Sequence, residues 1–300
     1  MKIAFLLTLY ANAKQSNIFI KQLLQYEDAY VFIHIDAKNK RLEKELYRHE
    51  RVIIIPQNYY IEWGDFSQIE ANLALINFAN KYSEFKYYSV HSGNDLLVQP
   101  LEKLSSFLEK DKAYAYLDCD RLPNEKFQYG GGLGRIAMKW PKCFRKKYRQ
   151  HSVMRYLRAI YGRLYGMKIL KGKKLPENMI FYGQSDWFTL SEKCVKNIIL
   201  YLKLNPNYYD IYRNSLIGSE LFFNSMAFLT KEDEDIIKQH NNLRYIDFVN
   251  VDKNTPGSPK LLKEEDYEKI KASGAFFARK VDCNNKESNK LIKKYIDKLD

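Results

Sequence analysis

The first 117 residues alternate short apolar, β-branched runs with stretches of helical periodicity, and that alternation restricts the fold more than any other feature of the chain. Residues 3–9, 30–35, 52–55, 87–90 and 113–117 read as strands, with helices between them. The clearest helix opens at Ser67, whose hydroxyl is positioned to cap it while Glu70 reaches back, and Ile69, Leu73 and Ile76 then recur at helical spacing. Strands separated by single helices build right-handed β-α-β units, hence an α/β fold with a mostly parallel central sheet flanked by helices. In open sheets of that kind ligands bind beyond the carboxyl ends of the strands. The residues to watch are therefore Asp36 and Lys38, then 58–64, 91–95 and 118–121.

Downstream, 179–190 reads as extended, 192–204 and 219–229 as helices, and 243–248 and 275–281 as late strands, all in one continuous domain over 1–300. At 46% hydrophobic and 15% aromatic content, 300 residues suffice for a full core. A run of about eighteen apolar residues, the length that spans a bilayer, does not occur. The apolar stretch 3–9 lacks a small-residue cleavage site after it, so it reads as a buried strand rather than a secretory leader. Cys119, Cys143, Cys194 and Cys283 are scattered, with neither a paired spacing nor neighbouring histidines. Free thiols in a reducing cytoplasm are the expectation.

The net charge of +13 has one source. Residues 126–176 hold fifteen Lys and Arg and no Asp or Glu, so the rest of the chain is net −2, which is +13 less 15. Such a patch attracts anions: nucleotide diphosphates, acidic headgroups or nucleic acid. No helix-turn-helix, zinc-finger or RNA-binding aromatic signature accompanies it, and nucleic acid is not the expected partner. Within the patch, Met154, Leu157, Tyr161, Leu164 and Tyr165 share an amphipathic segment with Arg155, Arg158 and Arg163. A segment of that kind can lie on an anionic membrane or pack its apolar stripe on the core, and the sequence admits both.

Several separated motifs follow one another along the chain: Ile33-His34-Ile35-Asp36-Ala37-Lys38, Trp63-Gly64-Asp65-Phe66-Ser67, Ser92-Gly93-Asn94-Asp95, Ser185-Asp186-Trp187-Phe188-Thr189-Leu190-Ser191, Ser219-Glu220-Leu221-Phe222-Phe223, Leu243-Arg244-Tyr245, Ser258-Pro259 and Phe277-Ala278-Arg279-Lys280. Taken in order, they resemble the core-2/I-branching N-acetylglucosaminyltransferase and peptide O-xylosyltransferase family, glycosyltransferase family 14, in a bacterial-type member. The resemblance implies a GT-A-like nucleotide-diphospho-sugar transferase fold, with a sugar-nucleotide-binding half over 1–117 and an acceptor-binding, catalytic half over 118–300. It implies inversion at the anomeric carbon, a UDP-sugar donor and no metal cofactor.

Carried over position by position, the resemblance makes Glu220 the catalytic base, since a carboxylate in reach of an acceptor hydroxyl can take its proton. Lys280 falls at the family lysine facing the donor diphosphate. Gly257 falls where animal branching enzymes carry a second cation, leaving Lys260 or Arg279 as substitutes nearby. Asp36, Asp95 and Arg244 join the donor set. Asp118-Cys119-Asp120 spells a short paired-acid motif that could hold a metal. Within Asp118-Cys119-Asp120-Arg121-Leu122-Pro123, however, it resembles an acceptor-binding run, with Lys126 at the family lysine, so Asp118 and Asp120 are expected to bind acceptor hydroxyls. Trp187 and Phe248 complete the acceptor set as aromatic faces for a sugar, although a strand tryptophan can equally be buried. Two departures bear on the sugar: Leu97 replaces a usual proline, and Tyr10 stands where bacterial relatives often carry His.

Overall fold

The computed structural model describes residues 1–249 and 258–299. In chain order the strands are β1 (Ile3–Leu9), β2 (Ala29–Ile35), β3 (Val52–Ile54), β4 (Tyr87–Ser92), β5 (Asp95–Leu97), β6 (Ala115–Leu122), β7 (Phe181–Ser191), β8 (Ile237–Lys238), β9 (Arg244–Ile246) and β10 (Phe277–Arg279). The longer helices are α1 (Ala13–Leu24), α2 (Ser67–Tyr82), α3 (Leu101–Asp111), α4 (Val153–Gly166), α5 (Glu192–Leu204), α6 (Ser219–Thr230), α7 (Tyr267–Ala272) and α8 (Lys286–Leu299). Two units interleave along the chain. One comprises Met1–Asn58, Ala74–Ala113 and Leu243–Asp300, the other Tyr59–Leu73 and Tyr114–Asn242, and α2 passes from the second into the first. The halves 1–117 and 118–300 therefore differ from the units in where 59–73, 114–117 and 243–300 fall.

The first unit is built on parallel strands in the order β3-β2-β1-β4. At its centre, β1 reads Ile-Ala-Phe-Leu-Leu-Thr-Leu, the near-continuous apolar run of a strand covered on both faces, and all but Thr8 of it is buried. Phe19, Ile20 and Leu23 bury one face of α1. A smaller sheet in the same unit pairs β10 antiparallel with β5 and parallel with β9, placing Arg279 opposite Asp95. Leu262, Ile270, Leu291 and Ile292 form a core with Leu96 and Ala278 of that sheet. Neither β5 nor α7 and α8 was expected from periodicity; β5 is three residues long, too short to show a period.

In the second unit β6 pairs antiparallel with β7 and parallel with β8. The strand expected at 113–117 starts at Ala115 and continues to Leu122, so Asp118–Arg121 lie within the strand rather than in a loop beyond it. Pairing with the long β7 carries it on, through an irregularity between Leu117 and Cys119. Ser67 is also used otherwise than expected: its Oγ accepts from the Glu62 backbone N–H at 3.0 Å instead of capping α2. At α4 the cap does form, Ser152 Oγ accepting from the Arg155 N–H.

Candidate active site

The donor set named from the sequence lies in the first unit. Asp36 follows the carboxyl end of β2, is buried, and accepts from the Lys38 N–H at 2.9 Å. The turn after β4 is stitched to the residues after β10: Asn94 Nδ2 donates to Val281 O at 3.1 Å, and Val281 N–H donates to Asn94 O at 3.0 Å. Half-buried Lys280 is held next to this seam, its carbonyl accepting from the Leu262 N–H.

Asp95 differs in character from the rest of the set. Its side chain has no solvent exposure and accepts from His91 Nδ1 at 2.8 Å, Ser92 Oγ at 3.1 Å and Arg279 Nη1 at 3.0 Å, with Arg244 Nε forming an ion pair at 3.3 Å. Because Asp95 can only accept, His91 must carry its proton on Nδ1, and Ser89 Oγ then donates to Nε2 at 2.9 Å. The His91 ring lies 4.5 Å from Phe277 and is walled by Phe5 and Phe19. Burial, reinforced by Arg244, pushes His91 down to about 4. Burial alone would raise Asp95, but Arg279, the His91 bond and Arg244 outweigh it and hold the carboxyl well below the usual range. Arg244 also donates to Val90 O at 2.7 Å. Asp95, Arg244 and Arg279 thus serve one another. Lys260 is engaged too, with Asp266 at 2.7 Å and Glu265 at 3.2 Å. Phe248 is exposed, and Gly257 lies outside the described residues.

Glu220 and the acceptor set, apart from Phe248, lie in the second unit. Glu220 occupies the first turn of α6, where an acid is favoured by the helix dipole. Its side chain is 26% exposed and its Oε2 accepts from Arg135 Nη1. Asn224 ties the same turn to β7, donating to Glu220 O at 2.6 Å and to Ser185 O at 2.9 Å. Gly183 makes the approach possible, because a Cβ there would stand 2.8 Å from Leu221 Cγ and 3.1 Å from Glu220 O. Gly183 pairs directly with Asp120 on β6, so Asp120 and the backbone of Glu220 both adjoin one glycine.

Asp118 accepts from Gln184 Nε2 at 2.9 Å, and burial raises its carboxyl against that bond. The ring of His240 stands 3.9 Å from Asp118 and 3.7 Å from Asp120, and Lys126 Nζ 3.6 Å from Asp120. Asp118, Asp120 and Lys126 therefore come together, with Gln184 and His240 added. Among the described residues, no three His, Cys, Asp or Glu side chains converge closely enough to hold a metal ion. Trp187 lies in β7, half-buried. Sequence reading missed Arg135, Gln184 and His240, and placed His91 only among the residues to watch beyond β4. Arg135 was visible only as one charge among the fifteen of the basic stretch.

That stretch is not uniformly solvent-facing. Arg145 pairs with Asp65 in the Trp63–Ser67 motif, while buried Arg158 stacks 5.4 Å from the Trp63 ring and donates to Phe144 O and Lys146 O. Arg158 thus faces inward, away from any surface role shared with Arg155 and Arg163.

Parallel strands ending in charged side chains, and a carboxylate held by an arginine at a helix start in the second unit, define an α/β protein equipped for polar-ligand chemistry. The family model for the Core-2/I-Branching enzyme matches residues 3–271, and the chain belongs to that family. Xylosyltransferase 1 of Canis lupus familiaris is 20% identical over 302 residues, 94% of this chain and 29% of that protein. A xylosyltransferase of Ciona intestinalis is 20% identical over 233 residues, 76% of this chain and 25% of that protein. The chain thus spans about a quarter to a third of the length of these curated relatives. The solved structure titled Crystal structure of S. aureus TarS 1-349 aligns with a TM-score of 0.36 and 12% identity, over 80% of this chain and 58% of that one, a likeness too distant to carry weight.

Proposed function

We propose that this chain is an inverting glycosyltransferase that moves a sugar, N-acetylglucosamine from its uridine diphosphate first among candidates, onto a hydroxyl of a glycan acceptor. The observation that carries the reading is Glu220: half-buried, at a helix start and fixed through Oε2 by Arg135, which leaves its other oxygen to serve as proton acceptor. The acceptor oxygen bonds to the anomeric carbon as the bond to the diphosphate breaks; the acceptor proton passes to Glu220, and the nucleoside diphosphate leaves with the bonding electrons. Asp118, Asp120, Lys126 and Trp187 bind acceptor, with Phe248 as a further aromatic face. Lys280 with Asp36 binds donor; Asp95, Arg244 and Arg279 hold the turn after β4 in shape, and Lys260 lies nearby. Xylosyl transfer has equal support, because the relatives above carry that name; galactose and glucose follow. The acceptor is read as a surface polysaccharide or lipid-linked glycan, handled in the cytoplasm at the inner face of the membrane. A thermal-shift screen against nucleotide sugars tests the donor, since a ligand bound only by the native state raises the melting temperature. No shift with any nucleotide sugar would overturn the reading.

Arg135 is a positioning residue in this account. Arg135→Met is expected to lower kcat by about 100-fold with KM little changed, the scale of a misplaced catalytic group, and added guanidinium ion should restore part of the rate. Loss of folding without rescue would reduce Arg135 to a structural part.

The diphosphate is read as neutralised by protein cations. Initial rates should then survive EDTA, and Lys280→Ala should weaken nucleoside diphosphate binding and slow transfer together, by about 100- to 1,000-fold as for one lost oxyanion contact. Were Asp118 and Asp120 metal ligands, EDTA would abolish transfer, manganese would restore it, and Asp120→Asn would imitate chelation.

A further inference from the structure

Helix α4 presents an apolar stripe outward. Val153, Tyr156, Leu157 and Ile160 recur at helical spacing and are 71%, 56%, 44% and 51% exposed. The opposite side of the helix is already committed: Arg158 and Gly162 are buried, and Tyr161 and Tyr165 pack against the Trp140 cluster. The stripe is therefore a second apolar surface, not the core-facing one. Past the helix end, Met167 and Ile169 are 68% and 60% exposed, so the apolar surface continues. Exposed Arg163, Lys168, Lys171 and Lys174 accompany it, and no acidic residue occurs anywhere in 126–176. Contiguous exposed apolar surface of this kind marks an interaction site rather than ordinary scatter.

We infer that the α4 stripe, extended through Met167 and Ile169, is a docking surface for a bilayer containing anionic lipid. Charge selects this occupant. Aliphatic and tyrosine side chains set among cations, in a segment that itself contributes no anion, match the acyl–headgroup boundary of an acidic leaflet. A second copy of the chain would bring the same cations against themselves. Among the described residues no helix is long and apolar enough to cross a membrane, and docking here requires none. The inference is independent of the catalytic reading, because these side chains are apart from the residues given catalytic or binding roles.

The test is co-sedimentation of the full chain with phosphatidylcholine vesicles and with vesicles that also contain phosphatidylglycerol, at low and high salt. Binding is expected only to the anionic vesicles and should weaken with salt. Leu157→Ser with Ile160→Ser should lower the partition coefficient by about ten-fold or more. Arg163→Glu with Lys168→Glu and Lys171→Glu should lower it by at least about 100-fold, since each lost cation costs about five-fold. Both variants alter exposed positions and should keep the wild-type melting temperature and nucleotide-sugar binding. Equal binding to neutral and anionic vesicles overturns the inference, as does wild-type binding by either variant. It falls too if the wild type ignores vesicles and instead dimerises through the stripe in sedimentation velocity, or is retained on DNA. Vesicle binding without any transfer activity would leave it standing and count against the glycosyltransferase reading alone.

Discussion

Replacing Glu220 by Gln is expected to reduce sugar transfer by about 100- to 10,000-fold, the contribution of a positioned general base. The amide keeps the size of the side chain and an oxygen for Arg135, so the first turn of α6 and its tie through Asn224 to β7 should persist. Donor binding should persist as well, because Glu220 and the donor set belong to different units. Initial-rate kinetics alongside calorimetric titration with nucleoside diphosphate separates the two quantities. Turnover within a few-fold of wild type would remove Glu220 from the mechanism, whereas joint loss of turnover and donor binding would point to a folding defect.

The second large effect is on stability. Asp95 is fully buried between Arg244 and Arg279, so Asp95→Asn leaves two guanidinium groups sharing a neutral amide in the interior. Breaking a buried ion-paired network from one side costs about 3–5 kcal/mol, which urea denaturation of wild type and variant would measure. A cost below about 1 kcal/mol would mean that water reaches the site. The pH dependence has a definite sign. His91 stays neutral in the fold down to about 4, while the unfolded chain takes up its proton near 6.5, so stability falls as pH drops through that window. Asp95, depressed in the fold, adds a second loss once pH falls below the unfolded aspartate value of about 3.9. Wild type should therefore weaken steadily from pH 6.5 downward, and His91→Gln should flatten the upper part of that slope. A flat profile between pH 6.5 and 4 in wild type would contradict neutral burial of His91.

What could be read in advance follows from the range of the forces involved. β1, β2, β4, α5 and α6 were legible because burial of a strand or one helix face prints a period into the residues themselves. β5 and β8 are three and two residues long and owe their pairing to partners far along the chain, which no local period records. The same holds for side chains. Glu220 and Asp118 could be named from short motifs, but Arg135 meets Glu220 across 85 positions and His240 meets Asp120 across a comparable span. Ser67 and Arg158 show the converse error. Each was assigned from the residues of its own helix, and each is claimed from outside it, Ser67 by the Glu62 backbone five positions upstream and Arg158 by the remote Trp63 ring.

The interleaving of the units has a bearing on how the chain is made. β1, β2, β4 and Asp95 leave the ribosome early, whereas Arg244, β10 and Arg279 come only after the whole of 114–242 has been synthesised. Until then the first unit must either keep the Asp95 carboxylate in water or bury it without its counter-ions, and burial of an unpaired charge is strongly opposed. Its four parallel strands can therefore assemble during translation only as a loosened sheet with the β4 end open. The second unit faces no such wait, since β6, β7, β8 and the Glu220–Arg135 pair all lie within Tyr114–Asn242. A nascent chain arrested with Asn242 just clear of the ribosomal exit tunnel should accordingly resist protease across 114–242 while the end of β4 and the turn after it are still cut.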